Sequence, residues 1–239
     1  MTESADFPLR SSGPAPYVVA GALDELACLR HAFGGRRGTV EEALGLPRAP
    51  FTARQVHGDT VLPVEADGAG GAPPEADALI TDRRGVPLAV FTADCVPTLI
   101  CDARTPALGV VHAGWRGTAL GAVGKTVRAL TARYGTRPED CCAAVGPAIA
   151  PGCYEVGPDV RDAFVAGLPD GASLFRPGRA GRWWADLREA TRRQLLASGV
   201  PGDRIAVCPY CTHCAADWFH SARRDGSAAG RQSTVAVLR

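Results

Sequence analysis

The chain predicts an α+β fold built as one domain, and three observations carry that prediction. It has 239 residues, 46% of them apolar, enough to bury one substantial core without requiring a second. Its apolar runs are short and strand-like up to about residue 111, then change to helical spacing from Thr118. The strands are also not followed regularly by helices, as a doubly wound sheet would require. Residues 1–16, polar and proline-bearing, read as a flexible end, and residues 17–239 as the single domain.

The elements follow in order. A first strand is expected at residues 17–20. Residues 60–64 and 78–81 read as short strands separated by the glycine-rich loop 68–74. Residues 86–93, 98–101 and 107–111 are continuous apolar runs, hence buried strands, the last leading into His112. From Thr118 onward, Leu120, Val123, Val127, Leu130 and Tyr134 share one helical face, and Gly135 is placed to stop the helix. Gly121 and Gly124 weaken it. In a second helix, Asp186 caps the free amides, Glu189 reaches back, Gly199 follows the end, and Leu187, Ala190 and Leu195 pack inward. Strands at 204–207 and 234–238 complete the pattern.

Composition narrows the function. The net charge is +1, from 26 basic and 25 acidic residues, so no overall field points to nucleic acid or an anionic membrane. All the basic residues except Lys125 are arginine, and the chain has no asparagine. No apolar run approaches the roughly 20 residues of a membrane helix, and the N-terminus lacks the order of a secretion signal. A cytoplasmic protein is expected. There the nine cysteines stay reduced and serve metal binding, catalysis or packing; Cys101, Cys141 and Cys142 read as packing residues.

Three segments concentrate chemistry: Arg54-Gln55-Val56-His57-Gly58, Thr92-Ala93-Asp94-Cys95, and Val111-His112-Ala113-Gly114-Trp115-Arg116-Gly117. Each places one borderline or soft ligand at the end of a strand-like run, and strand ends can converge at one rim of a sheet. One thiolate and two imidazoles would leave a zinc ion with a net positive charge and an open fourth position, the pattern of a catalytic site. The alternative from the residues alone is a pair of hydrogen-bonded core histidines and a buried cysteine.

These segments resemble, in order and wording, the multicopper polyphenol oxidase or laccase-like family, whose members are associated with zinc-dependent purine nucleoside phosphorylase activity. The matching pieces are His31-Ala32-Phe33, Gln55-Val56-His57-Gly58, Ala76-Asp77-Ala78-Leu79-Ile80-Thr81, Thr92-Ala93-Asp94-Cys95, His112-Ala113-Gly114-Trp115-Arg116-Gly117, Gly146-Pro147-Ala148-Ile149, Cys153-Tyr154-Glu155-Val156, Cys211-Thr212, Ser221-Ala222-Arg223-Arg224-Asp225-Gly226 and Gly230-Arg231-Gln232. The stretch after Arg36 is shorter than the family pattern, and without asparagine it lacks that pattern's polar contacts.

The resemblance implies a layered α/β/α/β-type sandwich with mixed sheets, related to cysteine-hydrolase and toxin-deamidase folds. It implies Zn2+ held by His57, Cys95 and His112. It further implies phosphorolysis of adenosine, inosine, guanosine or methylthioadenosine, and deamination of adenosine, by a monomer. One site suits both reactions, because a zinc ion lowers the pKa of water enough to attack the purine C6 carbon, and its charge with nearby arginines would hold phosphate. Arg54, Arg116, Arg223 and Arg224 are the candidate phosphate or ribose anchors, with Arg36 and Arg231 behind them. Asp94 is the candidate proton-handling group, or else caps the turn beside Cys95. Trp115 walls the site or packs in the core. Gly114 and Gly117 are expected to free the backbone for a tight turn. His31 makes either a structural hydrogen bond or a substrate contact.

Cys208, Cys211 and Cys214, with His213 and His220, look like half of a structural zinc site whose other half is missing. Two enzymatic rivals and one non-enzymatic rival stand beside the zinc phosphorylase. A copper oxidase fits poorly, because the only methionine is Met1 and five histidines are too few for four coppers. A metal-free hydrolase would use Cys95 as nucleophile and His112 as base on an amide such as a cell-wall precursor; His57 discriminates, being dispensable there. A zinc-stabilised interaction module would use a closed site instead of three ligands.

Overall fold

Val96–Asp102 and Ala107–Ala113 are buried along their whole length, and the fold is built outward from this hairpin. The structure is a computed structural model and describes residues 3–10, 15–46, 48–65 and 72–239. In chain order come β1 Leu9–Arg10, β2 Tyr17–Val18, α1 Gly21–Asp24, β3 Leu29–Gly34, α2 Val40–Ala43, β4 Val61–Pro63, β5 Ala78–Thr81, β6 Leu88–Thr92, β7 Val96–Asp102 and β8 Ala107–Ala113. Then follow α3 Trp115–Ala119, α4 Ala122–Tyr134, β9 Cys141–Val145, β10 Glu155–Val156, α5 Pro158–Gly167, β11 Phe175–Pro177, β12 Trp183–Ala185, α6 Leu187–Ala197, β13 Ile205–Val207, α7 Ala222–Asp225 and β14 Gln232–Leu238.

The hairpin lies inside a six-stranded mixed sheet of order β13-β9-β7-β8-β5-β4. Because side chains alternate across a strand, Ile80, Ile100, Val111 and Ala113 face Val123, Val127, Leu130 and Leu195 of α4 and α6. Leu79, Leu99, Leu108 and Val110 face the other way, onto Phe33, Leu88, Val90 and Leu238 of a five-stranded sheet, β1-β2-β3-β14-β6. Burial on both faces explains why these strands read as unbroken apolar runs. The outer face of the second sheet packs Ala32, Ala89 and Val235 against Val40 and Leu44. A small sheet, β10-β12-β11, stands apart. The class is α+β with mixed sheets in layers, as expected.

Several elements differ from the sequence reading for identifiable reasons. The helix expected from Thr118 is two: Gly121, at φ +78°, ends α3 and precedes α4, and Leu120 is 52% exposed instead of facing the core. Gly135, at φ +71°, does terminate α4. Asp186 caps α6 by accepting from the Glu189 amide at 3.0 Å, but Glu189 does not reach back, because the Asp186 amide is taken by the Leu174 carbonyl. Glu189 pairs with Arg192 and Arg193. Within the segment expected to be a flexible end, β1 pairs with β2, Phe7 is buried, and its carbonyl accepts from the Tyr210 hydroxyl. Most of the glycine-rich loop 68–74 lies outside the described residues.

Candidate active site

Sheet register brings the candidate residues together. Val96 pairs with Ala113 and Pro97 with His112 across β7 and β8, which sets Cys95, one residue before β7, beside Gly114. Ala78 pairs with Val111 across β5 and β8, which sets Asp77 beside His112, and the His112 amide donates to the Asp77 carbonyl at 2.7 Å. His57 arrives from the loop before β4. The donor atoms of His57, Cys95 and His112 all lie within 4.8 Å of one another. The two imidazoles meet edge to face, their centroids 4.9 Å apart.

Asp77, to which the sequence reading gave no role, organises this cluster. Its buried carboxylate accepts from the backbone amides of Val56 at 3.2 Å, His57 at 3.0 Å and Gly58 at 2.7 Å. It also stands 2.7 Å from His112 Nδ1. One carboxylate therefore fixes the His57 loop, where His57 holds a left-handed φ of +60°, a conformation that costs about 1–3 kcal/mol outside glycine. It also sets the His112 tautomer, leaving Nε2 for Cys95 or a metal. Burial works against ionisation of Asp77, but His112 and the Gly58 and Val56 amides hold its pKa below the usual value.

The same network polarises the thiol. Burial would raise the Cys95 pKa, but His112 and His57 bring it down to about 6. Burial would lower that of His112, but Asp77 and the Cys95 sulfur raise it to about 9. Without a metal, the two form a thiolate–imidazolium pair near neutral pH. Gly114 serves close approach instead of a turn conformation: a Cβ there would stand 2.9 Å from His57 Cδ2 and 3.1 Å from Cys95 Sγ. At Gly117 it would stand 2.6 Å from the Gly58 carbonyl oxygen.

The remaining candidates separate into groups. Asp94, at φ +87°, accepts from the Thr212 hydroxyl at 2.6 Å, the Ser221 hydroxyl at 3.0 Å and the Arg223 amide at 2.7 Å. It thereby ties the C-terminal segment to the Cys95 turn. Arg223 lies over the Tyr154 ring at 5.0 Å and donates to the Glu155 carbonyl at 2.8 Å. Tyr154 is close enough to Cys95 for its charge to add to the effect of burial in raising the phenol pKa. Arg116 is exposed and stacks on Trp115 at 4.3 Å, while Trp115 packs against the α4 and α6 core. Arg224 is committed internally, to Asp225 and to the carbonyls of Thr212, His213 and Phe219. Arg54 pairs with Glu75, Arg36 donates to the Ala216 carbonyl, and Arg231 is exposed.

His31 resolves as structural: its Nε2 accepts from the Ala20 amide at 2.9 Å, and burial lowers its pKa to about 4. The expected second cysteine cluster changes membership. Cys208 is fully buried, its thiol pKa pushed up to about 12 by burial, and the backbone amide of His220 is held by Gln232. Neither belongs to a ligand group among the described residues. Cys153, from the turn before β10, joins His213 and Cys214 instead.

Solved structures share this architecture. The crystal structure of YlmD from Geobacillus stearothermophilus superposes with a TM-score of 0.88 at 31% identity, covering 97% of this chain and 98% of that one. The Bacillus licheniformis hypothetical protein YfiH gives 0.86 at 27% identity, covering 97% and 99%. Fold and site thus define an α+β protein of the YlmD and YfiH type with a Cys–His–His cluster at a sheet rim. The sequence model of the multi-copper polyphenol oxidoreductase laccase family matches residues 30–239, and the chain belongs to that family. A relative from Xylella fastidiosa, named purine nucleoside phosphorylase, is 41% identical over 84% of this chain and 77% of its own length. Adenosine deaminase RL5, from an unknown prokaryotic organism, is 36% identical over 82% and 76%. The chain is an enzyme.

Proposed function

We propose that this enzyme is a zinc-dependent purine nucleoside phosphorylase that takes adenosine, inosine, guanosine or methylthioadenosine with phosphate to the free base and the sugar 1-phosphate, and that it also deaminates adenosine. The observation that carries the reading is the convergence of His57, Cys95 and His112 within 4.8 Å. The relatives' names point the same way. The donor set fits zinc: the thiol favours its anionic form, and His112 is backed by a buried carboxylate, the outer-sphere support typical of ligating imidazoles. Three protein ligands leave one tetrahedral position for a reactant. Copper fits less well, since only two of the five histidines lie in the cluster.

When bound, the ion supplies Lewis acidity and positive charge to the reacting groups. The chain does the rest. Asp77 keeps His112 in one tautomer and the His57 loop in one conformation. Arg223, held over Tyr154, is the arginine we assign to phosphate, with Arg116, stacked on Trp115, as a further anchor. Arg54, Arg36 and Arg231 are kept as secondary anchor candidates, and Arg224 braces the 212–219 segment. Three structural donors engage the Asp94 carboxylate, so we assign it to positioning the Cys95 turn instead of proton transfer. We assign the enzyme to the cytoplasm, as a monomer; no described helix is long and apolar enough to cross a membrane.

A specific observation also favours the metal-free hydrolase as second reading: Cys95, His112 and Asp77 are linked in the nucleophile–base–carboxylate order of a triad. The experiment that separates them combines metal analysis of wild-type and His57→Ala protein with chromatography of adenosine incubated in phosphate. The phosphorylase reading expects about one zinc at this site, adenine or inosine as product, and loss of both metal and product in the variant. A metal-free wild type that leaves adenosine intact while Cys95 reacts with a thiol probe would replace it with the hydrolase.

A further inference from the structure

Away from the first centre, Cys153, His213 and Cys214 place their donor atoms within 4.8 Å of one another, with the two sulfurs 3.3 Å apart. Cys211 adjoins them. Its sulfur interacts with both Cys153 and Cys214, accepts from the Ala150 amide at 3.3 Å, and has the His213 and Cys214 amides directed at it. A Cys-x-x-Cys turn whose first sulfur receives backbone amides is half of a structural zinc site. The missing half is Cys153, contributed from the turn before β10.

We propose that Cys153, Cys211, His213 and Cys214 form a second metal site, a closed Cys3His site for Zn2+. Sulfurs bound at about 2.3 Å to one tetrahedral ion stand roughly 3.7 Å apart, so the donors of Cys153, His213 and Cys214, within 4.8 Å of one another, adjust by up to about an ångström on binding, and Cys211, outside that group, swings in from its contacts with Cys153 and Cys214. The site has an entry path, since Cys211 and Cys214 line a surface hollow of about 480 Å³ with Ala215 and Trp218.

The fold also gives it a task. Between β13 and α7 the chain runs from Cys208 to Ser221 with no helix or strand of its own, a length that in a compact domain calls for an anchor. The metal clamps this segment to the turn at Cys153. Thr212 in the segment bonds Asp94 beside Cys95, and Tyr154 after Cys153 carries Arg223. The clamp therefore holds together two walls of the first centre without being part of it.

Metal analysis of protein purified under reducing, oxygen-free conditions tests the proposal. Wild type is expected to hold about two zinc ions per chain, His57→Ala and Cys214→Ser about one each, and the double variant none. Reconstituting His57→Ala with Co2+ gives the readout that needs no cysteine change: thiolate-to-cobalt charge-transfer bands and tetrahedral visible bands are expected. A His57→Ala protein that is metal-free and shows no such bands would overturn the proposal. So would a Cys153–Cys214 disulfide, found by mass as the loss of two hydrogens, in place of metal. About one zinc in both wild type and His57→Ala would instead sink the first centre and leave this one standing.

Discussion

Asp77→Asn is the most informative single change, because it keeps the shape of the residue and removes half of its accepting capacity. Each carboxylate oxygen serves two donors: Oδ1 takes the His57 amide and His112 Nδ1, and Oδ2 takes the Val56 and Gly58 amides. An asparagine keeps one oxygen and presents an NH2 group to the other pair, so two donors, part-buried except for His112 Nδ1, lose their acceptor. At about 1–3 kcal/mol for each unsatisfied group, the cost is roughly 2–6 kcal/mol, and about 2–4 °C of thermal midpoint is lost per kcal/mol in a domain of this size. Zinc affinity at the first centre falls about 10–100-fold, the usual effect of removing a carboxylate behind a ligating imidazole. Urea unfolding and competition with a chromogenic chelator measure the two effects. An Asn variant with wild-type stability and wild-type zinc affinity would refute the role given to Asp77.

Three further outcomes are expected. Gly114→Ala places a methyl 2.9 Å from His57 Cδ2 and 3.1 Å from Cys95 Sγ, so zinc affinity drops by about 10-fold or more while circular dichroism keeps its shape; full metal retention would contradict the close-approach argument. In chelator-stripped protein, Cys95 has a depressed pKa, so the stability it contributes is complete above the ordinary thiol value of 9.0 and is lost as pH falls through about 6. His112 has a raised pKa, so its contribution is complete below 6.5 and is lost as pH rises through about 9. Alkylation of Cys95 should accordingly titrate near 6, and a midpoint at 9 would show that no ion pair exists. Arg223→Ala removes the charged donor held over Tyr154 and should raise the KM for phosphate about 10–100-fold with little change in thermal midpoint; an unchanged KM would move the phosphate site elsewhere.

Much of this was legible in the sequence where one local cause dominates. The unbroken apolar runs of β7 and β8 reported burial on both faces, and Asp186, Gly135 and Gly199 marked helix ends through cap chemistry that is local by nature. The convergence of His57, Cys95 and His112 was legible in part: Cys95 lies between the apolar runs of β6 and β7 and His112 near the end of β8, whereas His57 comes from the loop before β4 and stood out through its matching segment. Long-range partners left weaker signals. Asp77 sits one residue before an apolar strand within a segment that matched the family, and its buried charge is explained only by a loop some twenty residues earlier and a strand some thirty-five later. Cys153 stood in a segment matching the family but had no assigned role until the fold set it against Cys214. The break at Gly121 was hidden by the helical spacing of Leu120, which the structure leaves exposed. Strand β3 was masked by Arg30 and His31, polar residues in a strand whose His31 Nε2 accepts from the Ala20 amide inside the core.

The central claim is that His57, Cys95 and His112 hold a metal that phosphorolysis requires. The most direct test follows formation of the sugar 1-phosphate from inosine and phosphate as Zn2+ is titrated into chelator-stripped wild-type and His57→Ala protein. Activity is expected to be absent in the stripped wild type, to return with added zinc, and not to return in His57→Ala. Full activity in the stripped protein, or zinc-restored activity in His57→Ala, would contradict it.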